Sequence, residues 1–329
     1  MKPWGMIYIQ KLTTMGIQLL NTFFKKQKCT SIKEISLKQL EGKKIAVDIS
    51  IYLYRYKKQD ALIEHIFTMC SILRHYNIHP VFIFDGKASA EKKITIMERS
   101  SRREQAKKSL QHYQHQLQTA TGDEKGVLHS KIEQVKKNIV KLSLKDIYAV
   151  KQLLDLYGLP WIHAKGEADE VCAALVLSNM AYACLSEDTD MFAYGIPRVL
   201  KYFSLIHHRC VIYETKEIFQ HLGLELEDFQ HLCIISGTDY NKRMGNIFTF
   251  YNLYMEEYKL TDTSKDFLQW LGGKYISMQN YYRVQEIANH YRITPSEILQ
   301  QYKYIPIRNG FIQMNKLKIF LEKYNFMFC

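Results

Sequence analysis

The sequence predicts an α/β fold: a doubly wound, mostly parallel sheet with an inserted basic helical arch and a C-terminal helical region. Two observations carry this. Short apolar runs of strand length alternate with segments of helical period, and between two of those runs lies a long polar stretch with no proline. Five strand-like runs occur, at 44–49, 80–84, 181–185, 198–203 and 210–213. The first three are almost continuously apolar, as expected of strands covered on both faces. Between the first two, the segment 61–76 carries Leu62, Ile63, Ile66, Phe67, Cys70 and Leu73, a helical period. The segment 147–157 repeats that logic and ends on Gly158 with Pro160 beyond it.

Residues 87–145 hold 14 Lys and Arg against six Asp and Glu, a surplus of +8 out of +12 for the whole chain. The glycines of this stretch, Gly122 and Gly126, fall at one interruption, so it reads as two polar helices joined near 119–126. Lys92 and Arg99 are seven apart, and Arg99, Arg102 and Arg103 follow at i, i+3, i+4, which predicts one cationic stripe suited to phosphates. Helices are expected at 171–177, 214–222, 227–235 and 248–258, and from there to Cys329 the pattern is weak.

Length and composition allow two domains, or one large domain with an insertion, and exclude a disordered or fibrous chain. The excess of 45 Lys and Arg over 33 Asp and Glu calls for a polyanionic partner. Seven scattered cysteines without a CxxC pair fit a reducing compartment, and His207, His208 and Cys210 are too few for a closed zinc site. The most apolar stretch, 171–185, is interrupted by Ser178 and Asn179 and is too short for a membrane span. Signal-peptide and myristoylation patterns are not met, so a soluble intracellular protein is expected.

In an open α/β sheet, ligands bind beyond the carboxyl ends of the strands. Asp48 closes the first run, Asp85 closes the second, and Asp188 with Asp190 follows the third. An Asp at one strand end is usually a turn residue bonding its own backbone, but three strands delivering acids to one edge argue for a site. Asp188 and Asp190 point the same way if the backbone is still extended there. Gly166-Glu167-Ala168-Asp169-Glu170 opens a helix, where acids also answer the helix dipole. Glu167 and Asp169 can serve one centre only if Glu167 sits at or before the N-cap, and spacing does not choose between Asp169 and Glu170. Asp239 follows a helix in Gly237-Thr238-Asp239-Tyr240. Carboxylates gathered this closely need cations between them, and an all-oxygen donor set suits Mg²⁺ or Mn²⁺. Two such ions can activate water and stabilise the leaving oxygen of a phosphodiester.

These residues resemble the flap endonuclease family of XPG-type 5′ nucleases over most of 15–240. The motifs are Met15-Gly16-Ile17-Gln18, Val47-Asp48, Phe84-Asp85-Gly86-Lys87, Gly166-Glu167-Ala168-Asp169 with Cys172-Ala173-Ala174-Leu175, Ser186-Glu187-Asp188-Thr189-Asp190, and Gly237-Thr238-Asp239-Tyr240. The resemblance implies a PIN-like nuclease core and hydrolysis of 5′-flap, nicked or branched DNA in replication, repair or recombination. It matches Asp48, Asp85, Glu167, Asp169, Asp188, Asp190 and Asp239 to the metal-site carboxylates, which favours Asp169 over Glu170. Two Mg²⁺ ions are implied, with Mn²⁺ able to substitute. Lys92 and Arg99 match the catalytic pair at the base of the helical gateway; Arg102 and Arg103 match phosphate-steering cations; Tyr54 falls where a base-stacking aromatic is expected. Gly16 matches the glycine after the family's initiator Met, beside the active site and its DNA.

The resemblance divides the chain into an extension (1–14), an N-terminal nuclease part (15–87), an arch and cap (88–145), an internal nuclease part (146–240) and a helical DNA-binding region (241–329). Two departures stand out. The family's Gly-x-Gly hairpin for a monovalent cation corresponds to Met244-Gly245-Asn246-Ile247-Phe248, which keeps Gly245 and lacks the second glycine, so K⁺ binding and the grip on duplex DNA are in question. Gln313 is followed by Lys316 where a sliding-clamp motif needs an aliphatic residue. Residues 1–14 would crowd the active site, so the expectation is that Met15 is the functional start or that the extension is displaced. The implied protein is a monomer without membrane association, with DNA and replication or repair proteins as partners. It would work in cytoplasm or nucleus, or at a viral replication site, since shortened homologues look similar to those of large DNA viruses. The competing expectations are a PIN-like ribonuclease and a non-catalytic DNA-binding scaffold.

Overall fold

The computed structural model describes residues 16–87, 92–261, 264–302, 305 and 307–328, without the side chains of 93–96 and 99. Elements follow in chain order: α1 (Leu20–Lys26), β1 (Ile32–Ser36), β2 (Lys44–Asp48), α2 (Ser50–Lys58), α3 (Leu62–His75) and β3 (His79–Phe84). Next come α4 (Lys93–Thr119), α5 (Asp123–Ile139), α6 (Leu144–Tyr157), β4 (Trp161–His163), α7 (Ala168–Leu177), β5 (Ala183–Leu185), α8 (Asp190–Ala193), β6 (Arg198–Lys201) and β7 (Arg209–Glu214). The remainder is helical: α9 (Thr215–Leu222), α10 (Leu226–Ser236), α11 (Ile247–Glu256), α12 (Phe267–Leu271), α13 (Met278–Tyr291), α14 (Pro295–Leu299) and α15 (Met314–Glu322).

The sheet has seven strands in the order β1-β7-β6-β5-β2-β3-β4. Pairing is parallel from β6 to β4 and antiparallel at the β6-β7 and β7-β1 end. The doubly wound α/β class expected from the sequence is therefore present, and all five expected strands form. β1 and β4 are additional. β1 has one buried residue in five, and β4 is three residues long, so neither carries a usable apolar period.

Side-chain alternation along the strands separates two cores. Ala46, Val81, Ile83, Cys184 and Val199 face one side, packed under α1, α7, α10, α11 and α13. Ile45, Val47, Phe82, Phe84, Leu185 and Leu200 face the other, under α2, α3, α6 and α15. Burying side chains of this size contributes about 1.5–3 kcal/mol each, so both faces are firmly held. The sheet can thus serve as a rigid platform for its strand ends.

Local chemistry sets the helix ends that matter here. α6 starts on a capping box: Asp146 N donates to Ser143 Oγ at 3.2 Å, and Ser143 N donates to Asp146 Oδ2 at 2.9 Å. It ends at Gly158, whose φ of 67° is left-handed, as the Gly-x-Pro signal anticipates. α4 and α5 form the expected hairpin. Among the described residues, the buried positions within its two helices are Leu128 and Ile132, so the seam is narrow and most of the described surface stays polar. In the C-terminal region, α13 buries Val284, Ile287, Ala288 and Tyr291 at helical spacing against α10. α15 buries Leu317, Phe320 and Leu321 beside α6, so the fold itself uses the apolar residues after Gln313.

Candidate active site

The carboxyl ends of β2, β3 and β5 lie side by side, and each contributes an acid. Asp48 is the last residue of β2; its Oδ1 accepts from Ser50 N at 3.1 Å and its Oδ2 from Ser186 Oγ at 2.9 Å. Asp85 follows β3, accepting from Ser50 Oγ at 2.5 Å and from Ala168 N, in the first turn of α7, at 3.0 Å. A close backbone approach sets that second bond. Gly86 N donates to Gly166 O at 2.8 Å, and a Cβ on Gly86 would stand 2.0 Å from the Ala164 carbonyl oxygen. Only glycine lets the two turns meet.

Glu167 is the N-cap residue of α7 with extended backbone, so Glu167 and Asp169 reach the same centre although they are two apart. Both are buried, while Glu170 is only half-buried. After β5 the backbone does not stay extended. Asp188 N donates to Ser186 Oγ, and Asp190 N donates to Asp188 Oδ1, each at 3.0 Å, and Asp190 opens α8. The turn role expected of a single Asp and convergence on one site therefore coexist at Asp48 and Asp188.

Burial is the first cause of high carboxyl pKa values here, and the neighbouring acids are the second. Asp48 is pushed up to about 7 by burial and then by Asp85. Asp169 and Asp190 are raised by burial and then by Asp188. Asp188 is raised by burial, with Asp239 adding to it, which places Asp239 within electrostatic reach of Asp188 and Asp190. Lys92, at the N-cap of α4, enters this cluster with its Nζ 2.7 Å from Glu167 Oε2 and 3.9 Å from Asp169 Oδ2. Burial opposes its charge, yet Asp169, Glu167 and Asp190 outweigh it and raise its pKa.

Two tyrosines not singled out from the sequence hold the acids in place. Tyr240 donates from its OH to Glu167 Oε2 at 2.8 Å, and its ring lies 5.1 Å from Lys92 Nζ. Tyr291 of α13 donates to Asp190 Oδ2 at 3.0 Å. Tyr240 stands next to Asp239 in its motif, which is a usable signal; Tyr291 is 101 residues from Asp190 and had none. Gly16 presses on the same loop. A Cβ there would stand 2.1 Å from Asp188 Oδ1 and 2.8 Å from Asp190 Oδ1, and its φ is +77°.

Among the described residues, no three Asp, Glu, His or Cys side chains stand closely enough to hold a metal ion as they are. The donor set nonetheless fits hard divalent cations: it is all oxygen, it is buried, and Asp190 Oδ1 has no hydrogen-bond partner. Lys92 and the hydroxyls of Ser50, Ser186, Tyr240 and Tyr291 currently share the carboxylates.

The other expected positions are placed as follows. Arg99 lies on α4, and its side chain is outside the described residues. Arg102 is exposed, 3.9 Å from Glu98, whereas Arg103 is half-buried, so these two do not share the burial of Lys92. Tyr54 on α2 is 42% exposed between buried Tyr52 and Tyr56. Gly245 packs against the Phe250 ring. Ile247 and Phe248 need no positive φ: they form the first turn of α11, which Asn246 caps by accepting from Phe248 N at 3.1 Å. The missing second glycine therefore leaves no left-handed backbone at Ile247 or Phe248. Residues 1–15, and with them the expectation that Met15 is the functional start, lie outside the described residues.

The family model described as XPG N-terminal domain matches residues 15–106, and that described as XPG I-region matches 158–239. Flap endonuclease 1-B of Xenopus laevis is 31% identical over 252 residues, which are 71% of this chain and 63% of that protein. The chain thus spans less than two thirds of the curated relatives it matches. Among solved structures, the catalytic core of Rad2 in complex with DNA substrate gives a TM-score of 0.61 at 21% identity, covering 92% of this chain and 93% of that one. The Holliday junction-resolving enzyme GEN1 in complex with product DNA and Mg²⁺ gives 0.55 at 18%, covering 92% and 72%. At these identities the two structures bear on the fold alone.

Proposed function

Because this chain belongs to the XPG family of nucleases, we propose that it is a divalent-metal-dependent, structure-specific 5′ nuclease acting on flapped, nicked or branched DNA. The observation that carries this is the convergence of Asp48, Asp85, Glu167, Asp169, Asp188 and Asp190, with Lys92 ion-paired among them, at the strand ends from which the basic α4–α5 hairpin departs. Asp48, Asp85, Glu167, Asp169, Asp188, Asp190 and Asp239 would hold two Mg²⁺ ions, or Mn²⁺ in their place. Bound ions would neutralise the carboxylates and supply the Lewis acidity that activates water and stabilises the leaving oxygen.

The chain's own groups do the rest. Hydrolysis forms a bond from water oxygen to phosphorus and breaks the bond to the 3′ oxygen, which takes a proton, so the product carries a 5′-phosphate. Lys92, which now pairs with Glu167 and Asp169, would offset charge developing on the scissile phosphate. Arg99 is its partner one helical stretch along α4. Arg102 and Arg103 steer phosphates, Tyr54 stacks on a base beside the site, and Gly16 lets substrate lie against the Asp188 loop. Gly245 and the capped start of α11 contact duplex phosphates, with or without K⁺. The protein acts as a monomer where DNA is replicated, repaired or recombined, in nucleus or cytoplasm, alongside other proteins of those processes.

A 5′-flap duplex labelled at the flap and incubated with Mg²⁺ tests this directly. The wild-type protein releases the flap, and Asp188→Ala stops release while DNA binding persists. Release by Asp188→Ala at the wild-type rate, or a preference for an RNA strand of the same shape, overturns the assignment.

A further inference from the structure

The edge strand β4 turns Trp161 and His163 to the face that carries α6, where three residues of α6 continue the line. Lys145, Tyr148 and Lys151 follow at i, i+3, i+6 along one ridge, and Lys165 lies two residues beyond His163. Lys151 Nζ is 3.4 Å from His163 Nδ1, 4.3 Å from the centroid of the Trp161 ring and 4.9 Å from that of Phe84. Tyr148 is 69% exposed.

The lysines here form no ion pair. The ion pairs among the described residues do not include Lys145, Lys151 or Lys165. The nearest acid to Lys151, Asp155, accepts from Trp161 Nε1 at 2.8 Å. Asp85, which His163 senses, already accepts from Ser50 and Ala168. Lys151 and His163 face one another instead, and burial followed by this mutual repulsion lowers the His163 pKa. With Asp155 and Asp85 held by other donors and no ion pair made, Lys151 and the lysines in line with it keep donors free for an added anion beside His163.

The ridge also leads somewhere. His163 pairs in register with Phe84, the residue before Asp85, so its end abuts the candidate metal site. Duplex DNA hides its base faces, whereas an exposed tyrosine among cations can stack on an unpaired base. Resting on the reading of the site as a 5′ nuclease, we infer that Lys145, Tyr148, Lys151, His163 and Lys165 bind the single-stranded 5′ arm of the substrate, phosphates on the cations and a base on Tyr148. Trp161 holds Lys151 in position from below.

The test compares two DNAs, a nicked duplex and the same duplex with a long single-stranded 5′ arm, by fluorescence anisotropy in Ca²⁺ at fixed salt. Wild-type protein binds the armed DNA more tightly. The double variant Lys151→Met with Tyr148→Ala loses about tenfold of that advantage, and Lys151→Arg keeps it. Equal weakening on both DNAs, an advantage kept by the double variant, or no advantage in the wild type overturns the inference. Cleavage is read separately in Mg²⁺: a wild type that gains affinity from the arm but cuts nothing overturns the nuclease reading and leaves the arm site standing.

Discussion

Gly16 shows how tightly single residues are constrained around the acids. A methyl group there would enter the space of Asp188 Oδ1, and the backbone sits at φ +77°, where a Cβ costs about 1 kcal/mol before any collision. Gly16→Ala is therefore expected to displace the Asp188–Asp190 turn and lower the flap-cleavage rate about a hundredfold, because ångström-scale misplacement costs that much. Single-turnover rates in Mg²⁺ would check it; a rate within twofold of wild type would show that the loop yields freely. Asp190 behaves in the opposite sense for stability. Burial, and then Asp188, raise its pKa, so its charge is unwelcome when no cation balances it. Asp190→Asn should stabilise the metal-free protein by about 1 kcal/mol and abolish cleavage. Urea midpoints in EDTA measure the first effect. Loss of the Mg²⁺-induced rise in Tm, which a bound ion produces by mass action, measures the site itself.

At the scale of elements, α10 carries a pH response unrelated to the acids. His231 is buried there, its Nδ1 has no hydrogen-bond partner, and burial pushes its pKa down to about 4 despite Glu227 and Asp266. The neutral form is the folded one. Below the ordinary value of about 6.5 the unfolded chain takes up a proton that the folded chain refuses, so stability falls as pH drops, until His231 itself titrates. The loss between pH 6.5 and pH 4 amounts to about 3 kcal/mol in wild type and should vanish from His231→Gln, as the difference between their urea midpoints across that range. Legibility in the sequence varied element by element. β2, β3 and β5 could be read because both faces are covered and the positions between their ends are apolar, and α6 because its cap and Gly158 punctuate it. β1 and β4 could not, since polar or very short edge strands owe their existence to a neighbour rather than to their own pattern. α12 and α14 were missed for a related reason: helices of five residues, docked on α10 and α7, are too short to show a period, and the 14-residue α13 shows one only from Val284 to Tyr291. In the site, strand-end placement revealed Asp48, Asp85 and the Asp188–Asp190 pair without any structure. The choice of Asp169 over Glu170 came from the family resemblance rather than from spacing, the N-cap geometry of Glu167 shows how Glu167 and Asp169 reach one centre, and Tyr291 needed the tertiary fold.

For the molecule as a whole, the decisive feature is charge segregation on a rigid frame. Acids gather at one end of the sheet, while +8 of the +12 surplus lies in 87–145, mostly on the exposed surfaces of α4 and α5. Exposed ion pairs along this hairpin, such as Lys107 with Glu104 at 3.4 Å, contribute about 0–1 kcal/mol to folding. Its cations are thus close to neutral for stability, and their value must be sought in binding. If the hairpin tracks the DNA backbone, each phosphate contact releases counterions and adds about 0.9 to the salt slope of log K. Replacing Lys107, Lys108 and Lys131 by Gln should then leave the Tm nearly unchanged and flatten log K against log salt by about 2–3 units for a 5′-flap substrate. The same replacement made at Lys33, Lys38 and Lys44, which lie on β1, just past its end and at the start of β2, away from the hairpin, should leave the slope where it was. Equal flattening by both sets would mean that net charge alone attracts the DNA. A drop confined to the hairpin set would locate the phosphates against α4 and α5.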